Sequence, residues 1–321
     1  MNADLIRRAV SPWLIALNLV LAAACLLALL GRWHWLADLF SHFVPHYFAA
    51  GGILSLALLL TRRYGWAALA LAIGLWNGWL LSPYLLPERP AQSAGAHSIE
   101  LLQFNVSRDN PAPLATIGYI LSLEEPPDVV MLFEITPIFA TEIKRLKELY
   151  PTLAQMPRSD NFGMALLSRL PESEVEFREA GQAGVPLMVL SARIGGQGIR
   201  VYSAHPPPPL GSVLSRARNV QLQTLAREIA RHDGDHVVIA GDLNTTPWSH
   251  AFPPLVNTAG LRDAQRGHGY LPTWAPPPYS RWIGIPIDHT LISAGVEAQH
   301  RRVGPWLGSD HWPVHTRLTL R

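Results

Sequence analysis

Hydrophobic and polar positions divide the chain into two regimes. Residues 12–30, 43–60 and 66–86 are three nearly uninterrupted apolar stretches. Each is close to the ~20 residues that cross a bilayer's hydrocarbon core as a helix. Trp13, Trp33, Trp35, Tyr64, Trp66 and Tyr84 stand near their ends, where amphipathic rings favour the interface. A cleaved leader would account for the first stretch and leave the other two unexplained. The pattern predicts three transmembrane helices. From residue 97 onward, short apolar runs alternate with helical spacing. Residues 99–106, 128–135, 163–168, 187–194, 199–204, 237–240 and 287–293 read as strands. Residues 112–124, 137–149 and 212–232 read as helices, the last amphipathic through Val220, Leu222, Leu225 and Ile229. The Pro-containing segment PERPAQSAGA, residues 87–96, is the expected linker. It divides an anchor, residues 1–96, from a catalytic domain, residues 97–321. Prolines 206–209 and 276–278 form stiff loops suited to the walls of a cleft.

Charge refines this picture. Residues 1–96 hold six arginines against three acids, so of 26 basic and 24 acidic residues 20 and 21 fall after them. The second part is therefore not basic, and its only lysines are Lys144 and Lys147. That balance does not favour nucleic acid, whose binding draws on many phosphate contacts and counterion release. Arg7 and Arg8 precede the first span, and Arg62 and Arg63 fill the second loop. The positive-inside rule places both in the cytoplasm. Three spans then leave residues 97–321 on the extracytoplasmic side of a multi-pass cell-membrane protein. The single cysteine, Cys25, excludes an internal disulfide.

The candidate chemistry lies at the ends of the apolar runs. Asp242 and Asn244, two apart in HVVIAGDLNTTPWS, project to one side of the chain. Asn105 follows IELLQF, Glu134 follows VVMLF, His205 follows VYSA, Asp288 follows IGIPI, and Ser309, Asp310 and His311 lie near the C-terminus. One such residue is an ordinary turn or cap. The whole series, brought to one sheet edge, would be a cluster of carboxylates, amides and imidazoles that a cation must neutralise. Oxygen donors without cysteine, and histidines without zinc spacing, point to Mg2+ with Mn2+ as its substitute. His289, next to Asp288, should face the opposite way. His232 and His236 are expected in solvent, and Arg218 and Gln221 at packing or surface positions. Trp274, Arg281 and Trp282, in the Pro-rich loop, are better placed to grip a substrate.

QFNV, FEI, NFGMALLSR, AH, GDLNTTP, IDHTLIS and GSDHWPV, in that order, resemble the endonuclease/exonuclease/phosphatase (DNase I-like) superfamily over residues 97–321. The resemblance implies an α/β (α+β) fold, a four-layer αββα sandwich with its site at one sheet edge, and a Mg2+-dependent hydrolase. It implies Glu134, Asn105 and Asp310 as metal ligands and Asp242 as the group that orients or deprotonates the attacking water. Asn244 would contact the phosphoryl oxygens, and His311 the phosphate, held by Asp288. His205 would be a second phosphate contact or the leaving-group acid. The three spans resemble a bacterial membrane group that includes teicoplanin-resistance proteins, which implies a lipid-linked phosphate or pyrophosphate as substrate. A nuclease acting on DNA or RNA and an inactive binding module are the alternatives.

Overall fold

The computed structural model describes residues 3–88, 97–179, 184–232, 234–278 and 280–321, with the side chains of 3–6 excepted. Most of the expected linker, residues 89–96, lies outside the described residues.

The N-terminal region is helical: α1 (Ala3–Leu29), α2 (Trp35–Ser41), α3 (Val44–Leu60) and α4 (Tyr64–Leu85). Helix α1 from Arg7 and helix α4 are each long and apolar enough to cross a membrane. Helices α2 and α3 pass that test as a pair bent by 61°, so the candidate spans among the described residues number two, or three if the bent pair counts as one. The first loop of the sequence reading is thus largely a helix. Helices α3 and α4 pack closely at Gly51, where a Cβ would lie 2.7 Å from Gly74 Cα; glycine allows this approach of two backbones. The start of α3 and the end of α4 share a cluster with the following sandwich, Val44, Leu81 and Tyr84 against Trp248 and Tyr270. The 61–63 turn, with Arg62 and Arg63, therefore sits at the far end of the hairpin, about 30 Å away at 1.5 Å per residue.

The sandwich comprises β1 (His97–Asn105), α5 (Leu114–Leu121), β2 (Val129–Phe133), α6 (Pro137–Ile143), β3 (Thr152–Met156), β4 (Met164–Ser168), β5 (Glu174–Glu179), β6 (Pro186–Ile194) and β7 (Gln197–Ala204). There follow α7 (Ser212–Ile229), β8 (His236–Asp242), α8 (Phe252–Ala259), β9 (Arg262–Asp263), β10 (Asp288–Ile292), β11 (Val296–Val303) and β12 (Val314–Leu320). Two six-stranded sheets run β11-β12-β1-β2-β4-β3 and β5-β6-β7-β8-β10-β9. Among the described residues only β1/β2 and β7/β8 pair in parallel.

Side-chain alternation builds the four layers. Ile99, Leu101, Met131, Val238 and Ala240 fill the space between the sheets. Their neighbours Leu102, Phe104, Val130 and Leu132 meet Ile117, Ile120, Phe139 and Ile143 of α5 and α6. Val237, Ile239 and Tyr202 meet Leu222, Leu225, Phe252 and Leu255 of α7 and α8. This two-residue period assigns one face of each central strand to the middle layer and the other to a helix. The expected αββα sandwich is present. Helix 112–124 is shorter than its pattern, and 137–149 ends in a 3₁₀ turn at Lys144–Leu146.

Candidate active site

The two parallel pairs place the carboxyl ends of β1, β2, β7 and β8 at one edge. Asn105 closes β1, Glu134 follows β2, His205 follows β7 and Asp242 closes β8. Asp288 opens the antiparallel β10 directly opposite Asp242. The loop before β12 brings in Asp310 and His311, pinned where Ser309 Oγ donates to the Asn105 carbonyl at 2.8 Å.

The Asn105 amide nitrogen donates to Glu134 Oε1 and Asp242 Oδ2, both at 3.1 Å. Its oxygen accepts from the Ser107 N–H at 3.0 Å. His205 Nε2 lies 3.4 Å from Asp242 Oδ2 and 4.0 Å from Glu134 Oε1. His311 Nε2 lies 3.5 Å from Asp242 Oδ2, while its Nδ1 pairs with Asp288 Oδ2 at 2.9 Å. Asp242 and Asp288 are 1 % exposed. The Asn244 N–H donates to Asp242 Oδ1 and its side chain to the Pro206 carbonyl, each at 3.0 Å. Trp274 Nε1 donates to Asp310 Oδ2 at 2.9 Å, so this ring stands at the edge of the cluster.

Backbone geometry is also particular here. Glu134 and Asn244 have φ of +60° and +50°, a region costly for a side-chain-bearing residue other than Asn or Asp, and one that concentrates at functional sites. Just before Asp242, a Cβ on Gly241 would stand 2.0 Å from the Ala204 carbonyl oxygen, so only glycine admits this strand contact.

Burial works against every charge in this cluster, and the charges answer one another. For Asp242 burial alone would raise the pKa, but His311, His205 and the Asn105 amide hold it down at about 2. Burial would lower His311, yet Asp288 and Asp242 push it up to about 10. His205 is raised against its burial by Asp242 and Glu134. His311 is thus cationic and Asp242 anionic at neutral pH.

Asp242, Asp288 and His311 offer ligand atoms within 4.8 Å of one another, a set able to hold a metal ion. Glu134 adds a further carboxylate, 13 % exposed and joined to Asp242 through Asn105. The donors are carboxylate oxygens and imidazole nitrogens without thiolate, which fits a hard divalent cation.

Other expectations sort clearly. His289 does face away, fully buried, with Nε2 2.8 Å from the Thr245 carbonyl and Nδ1 3.3 Å from Asp263. His232 pairs with Asp235 away from the cluster. Arg281 lies in a 3₁₀ turn with Nε buried and unpartnered, and burial draws its guanidinium below the usual value. Arg218 and Gln221 are buried, not surface residues, and Arg218 Nη1 donates to the Asn244 carbonyl at 2.9 Å. Three contributors carried no role in the sequence reading. Asn161 Nδ2 and the Arg108 N–H both donate to Glu134 Oε2, at 3.0 and 3.1 Å. Arg301, buried within the sheet, donates to the Asp288 carbonyl at 2.6 Å. Asn161 opens the NFGMALLSR motif, so its signal was present; Arg108 acts through its backbone and leaves none.

Two sheets between helices, with acids and imidazoles at the ends of the central strands, define the DNase I-like class of αββα proteins. The chain belongs to the Endonuclease/Exonuclease/phosphatase family, whose profile matches residues 102–311. No curated protein matches the chain. Among solved structures, an endonuclease/exonuclease/phosphatase from Beutenbergia cavernae is similar at 22% identity and TM-score 0.55, over 70% of this chain and 72% of that one. TDP2 of D. rerio, complexed with a single-strand DNA product, gives 20% identity and TM-score 0.53, over 69% and 98%. The 3' phosphatase NExo from Neisseria, bound to a product DNA hairpin, gives 18% and 0.53, over 68% and 98%. These likenesses show the fold.

Proposed function

We propose that the chain is a membrane-anchored, divalent-cation-dependent phosphoesterase, with residues 1–96 as anchor and residues 97–321 as catalytic domain. The observation that carries this reading is the meeting of Asn105, Glu134, His205, Asp242, Asp288 and His311 in one cluster at the sheet edge. Glu134, with Asn105 and Asp310, would hold Mg2+, or Mn2+ in its place. The bound ion would draw charge from the phosphoryl and leaving oxygens. Asp242, held near 2, is a weak base at neutral pH, so its share is to orient the attacking water by accepting its hydrogen bond. His311, kept cationic by Asp288, donates to a phosphoryl oxygen as negative charge builds there. His205 is the second phosphate contact or the acid that protonates the leaving oxygen. Asn244 would turn its amide from the Pro206 carbonyl to the phosphoryl group, and Trp274 and Arg281 would grip the ester. In-line attack then requires little beyond position and charge.

The reading extends to a lipid-linked phosphate or pyrophosphate, reached on the extracytoplasmic side. Arg62 and Arg63, at the far end of the helical hairpin, support that sidedness through the positive-inside rule. Trp282 and Ile283 are 93 % and 46 % exposed beside His46 of α3, and so present apolar surface where the anchor begins. A mainly apolar groove of about 570 Å3, lined by Phe162, Val213, Leu214 and Val220 together with Ser212 and Arg216, lies near His205, whose ring is 5.8 Å from Phe162. A hydrocarbon chain suits this groove better than a phosphodiester backbone.

The test uses the full chain in nanodiscs with Mg2+ or EDTA, given bis(p-nitrophenyl) phosphate, plasmid DNA, sphingomyelin and a polyprenyl pyrophosphate. Asp242→Ala and His311→Ala are assayed alongside. The expected result is cation-dependent turnover lost in both variants, with lipid preferred over DNA. Faster cleavage of plasmid than of any lipid makes the chain a nuclease, and cation binding without turnover of any ester makes it a binding module.

A further inference from the structure

The Asn244 turn is held from an unexpected direction. Its positive φ is one that asparagine adopts more readily than most residues, and contacts from outside the turn also hold it in place. One of these is Arg218, whose Nη1 donates to the Asn244 carbonyl. Arg218 is 1 % exposed, and a buried guanidinium needs a counter-ion. The counter-ion is Asp38, on α2 of the N-terminal helices, with Oδ2 3.1 Å from Arg218 Nη2. The same carboxylate accepts from Ser249 Oγ at 2.8 Å and from the His250 N–H at 2.9 Å. Next along, His42 Nδ1 and Thr246 Oγ1 are 2.9 Å apart. The chain leaving Asp242 is therefore fastened at 246, 249 and 250 by His42 and Asp38, and at 244 by an arginine that Asp38 pairs.

We propose that Asp38 is a positioning residue for the active site: from the anchor, it fixes the Asn244 turn through Arg218. The anchor then does more than tether the enzyme, because its docked state is a condition for an ordered phosphate-binding turn. This rests on the phosphoesterase reading of the site, in which Asn244 contacts the phosphoryl group. Displacing a group by about 1 Å from a distance costs on the order of 10²-fold in rate, and loss of Asp38 acts through such a displacement.

The experiment takes the full chain in nanodiscs with Mg2+ and bis(p-nitrophenyl) phosphate, and compares Asp38→Asn, Asp38→Glu, Asn244→Ala and the Asp38→Asn/Asn244→Ala double variant. Asp38→Asn should lower kcat by roughly tenfold or more with KM little changed, and Asp38→Glu should recover part of it. The double variant should be no slower than Asn244→Ala alone, since residues acting through one another are not additive. If Asp38→Asn does not fold, the apolar pair Asp38→Leu/Arg218→Met removes both charges at once and takes its place in the same cycle. Wild-type kcat in the folded Asp38 variant, or losses that multiply with Asn244→Ala, would overturn the proposal while leaving the site reading intact. An inactive wild-type protein overturns both.

Discussion

Replacing Asp288 with Asn tests how the buried His311 keeps its charge. The imidazole stands at about 10 against an ordinary 6.5. At ~1.4 kcal/mol per pKa unit, its surroundings favour the cation by roughly 5 kcal/mol net of burial. Asp288 is the largest favourable contributor, followed by Asp242, so the substitution should lower the imidazole's pKa by about one unit or more, at ~1.4 kcal/mol per unit. His311 should then titrate below its wild-type value, with Asp242 still favouring the cation. The rate at neutral pH should nevertheless fall by about 10²-fold or more, because the amide no longer fixes the ring by a charge-assisted bond. Histidine NMR of the EDTA-treated protein reads the titration, and the alkaline limb of kcat/KM in Mg2+ should move the same way. A His311 titration unchanged in the variant would refute the reasoning and leave Asp242 as the group that holds the charge.

The remaining predictions concern pH, cation and packing. His311 has a folded pKa above its unfolded value, so its contribution is whole below pH 6.5 and is lost as pH rises through about 10. Asp242 has a folded value of about 2 against 3.8, so its contribution of about 2 kcal/mol is present above pH 3.8 and lost as pH falls through 2. Thermal unfolding of the cation-free protein should therefore plateau between those limits; a midpoint still rising from pH 7 to 10 would contradict the His311 assignment. Glu134→Gln should weaken cation binding by roughly 10-fold or more in calorimetry without changing the fold; unchanged affinity would move the site to the Asp242, Asp288 and His311 set. Gly241→Ala should destabilise by about 3 kcal/mol in chemical unfolding, since the new methyl meets the Ala204 carbonyl; a loss under ~1 kcal/mol would mean the strand yields easily.

Much of the sandwich was legible because its central strands are apolar on both faces and end abruptly in one polar residue. VVMLF before Glu134 and HVVIAGD at Asp242 are buried throughout or nearly so, and a buried strand shows itself by composition alone. Most of the strands that escaped notice carry charge, β3 (TLAQM), half-buried at a sheet edge, being the exception. EVEFRE of β5 is half-exposed and lies at a sheet edge, and VEAQHRRV of β11 alternates weakly around a bulge at Ala298 and His300. β12 is nearly all buried yet reads VHTRLTL. Its His315 is satisfied by Tyr119 at 2.8 Å, a partner 196 residues away that only the finished fold supplies.

The same limit explains why the contact between the N-terminal helices and Arg218 was not legible. Asp38 is in sequence one of the three acids among residues 1–96, and nothing local marks it otherwise. Its meaning comes from Arg218, 180 residues on, which by its own spacing resembled any arginine on an amphipathic helix. An isolated acid amid apolar residues is costly wherever it is buried, and so is an arginine on the inner face of α7. Each cost, taken alone, argues for exposure. Only when α2 folds back at 61° to α3 and meets α7 do the two cancel. Polar residues that lie at odds with their own segment are therefore the ones to pair across a long chain, because two local anomalies of opposite charge can have one common solution.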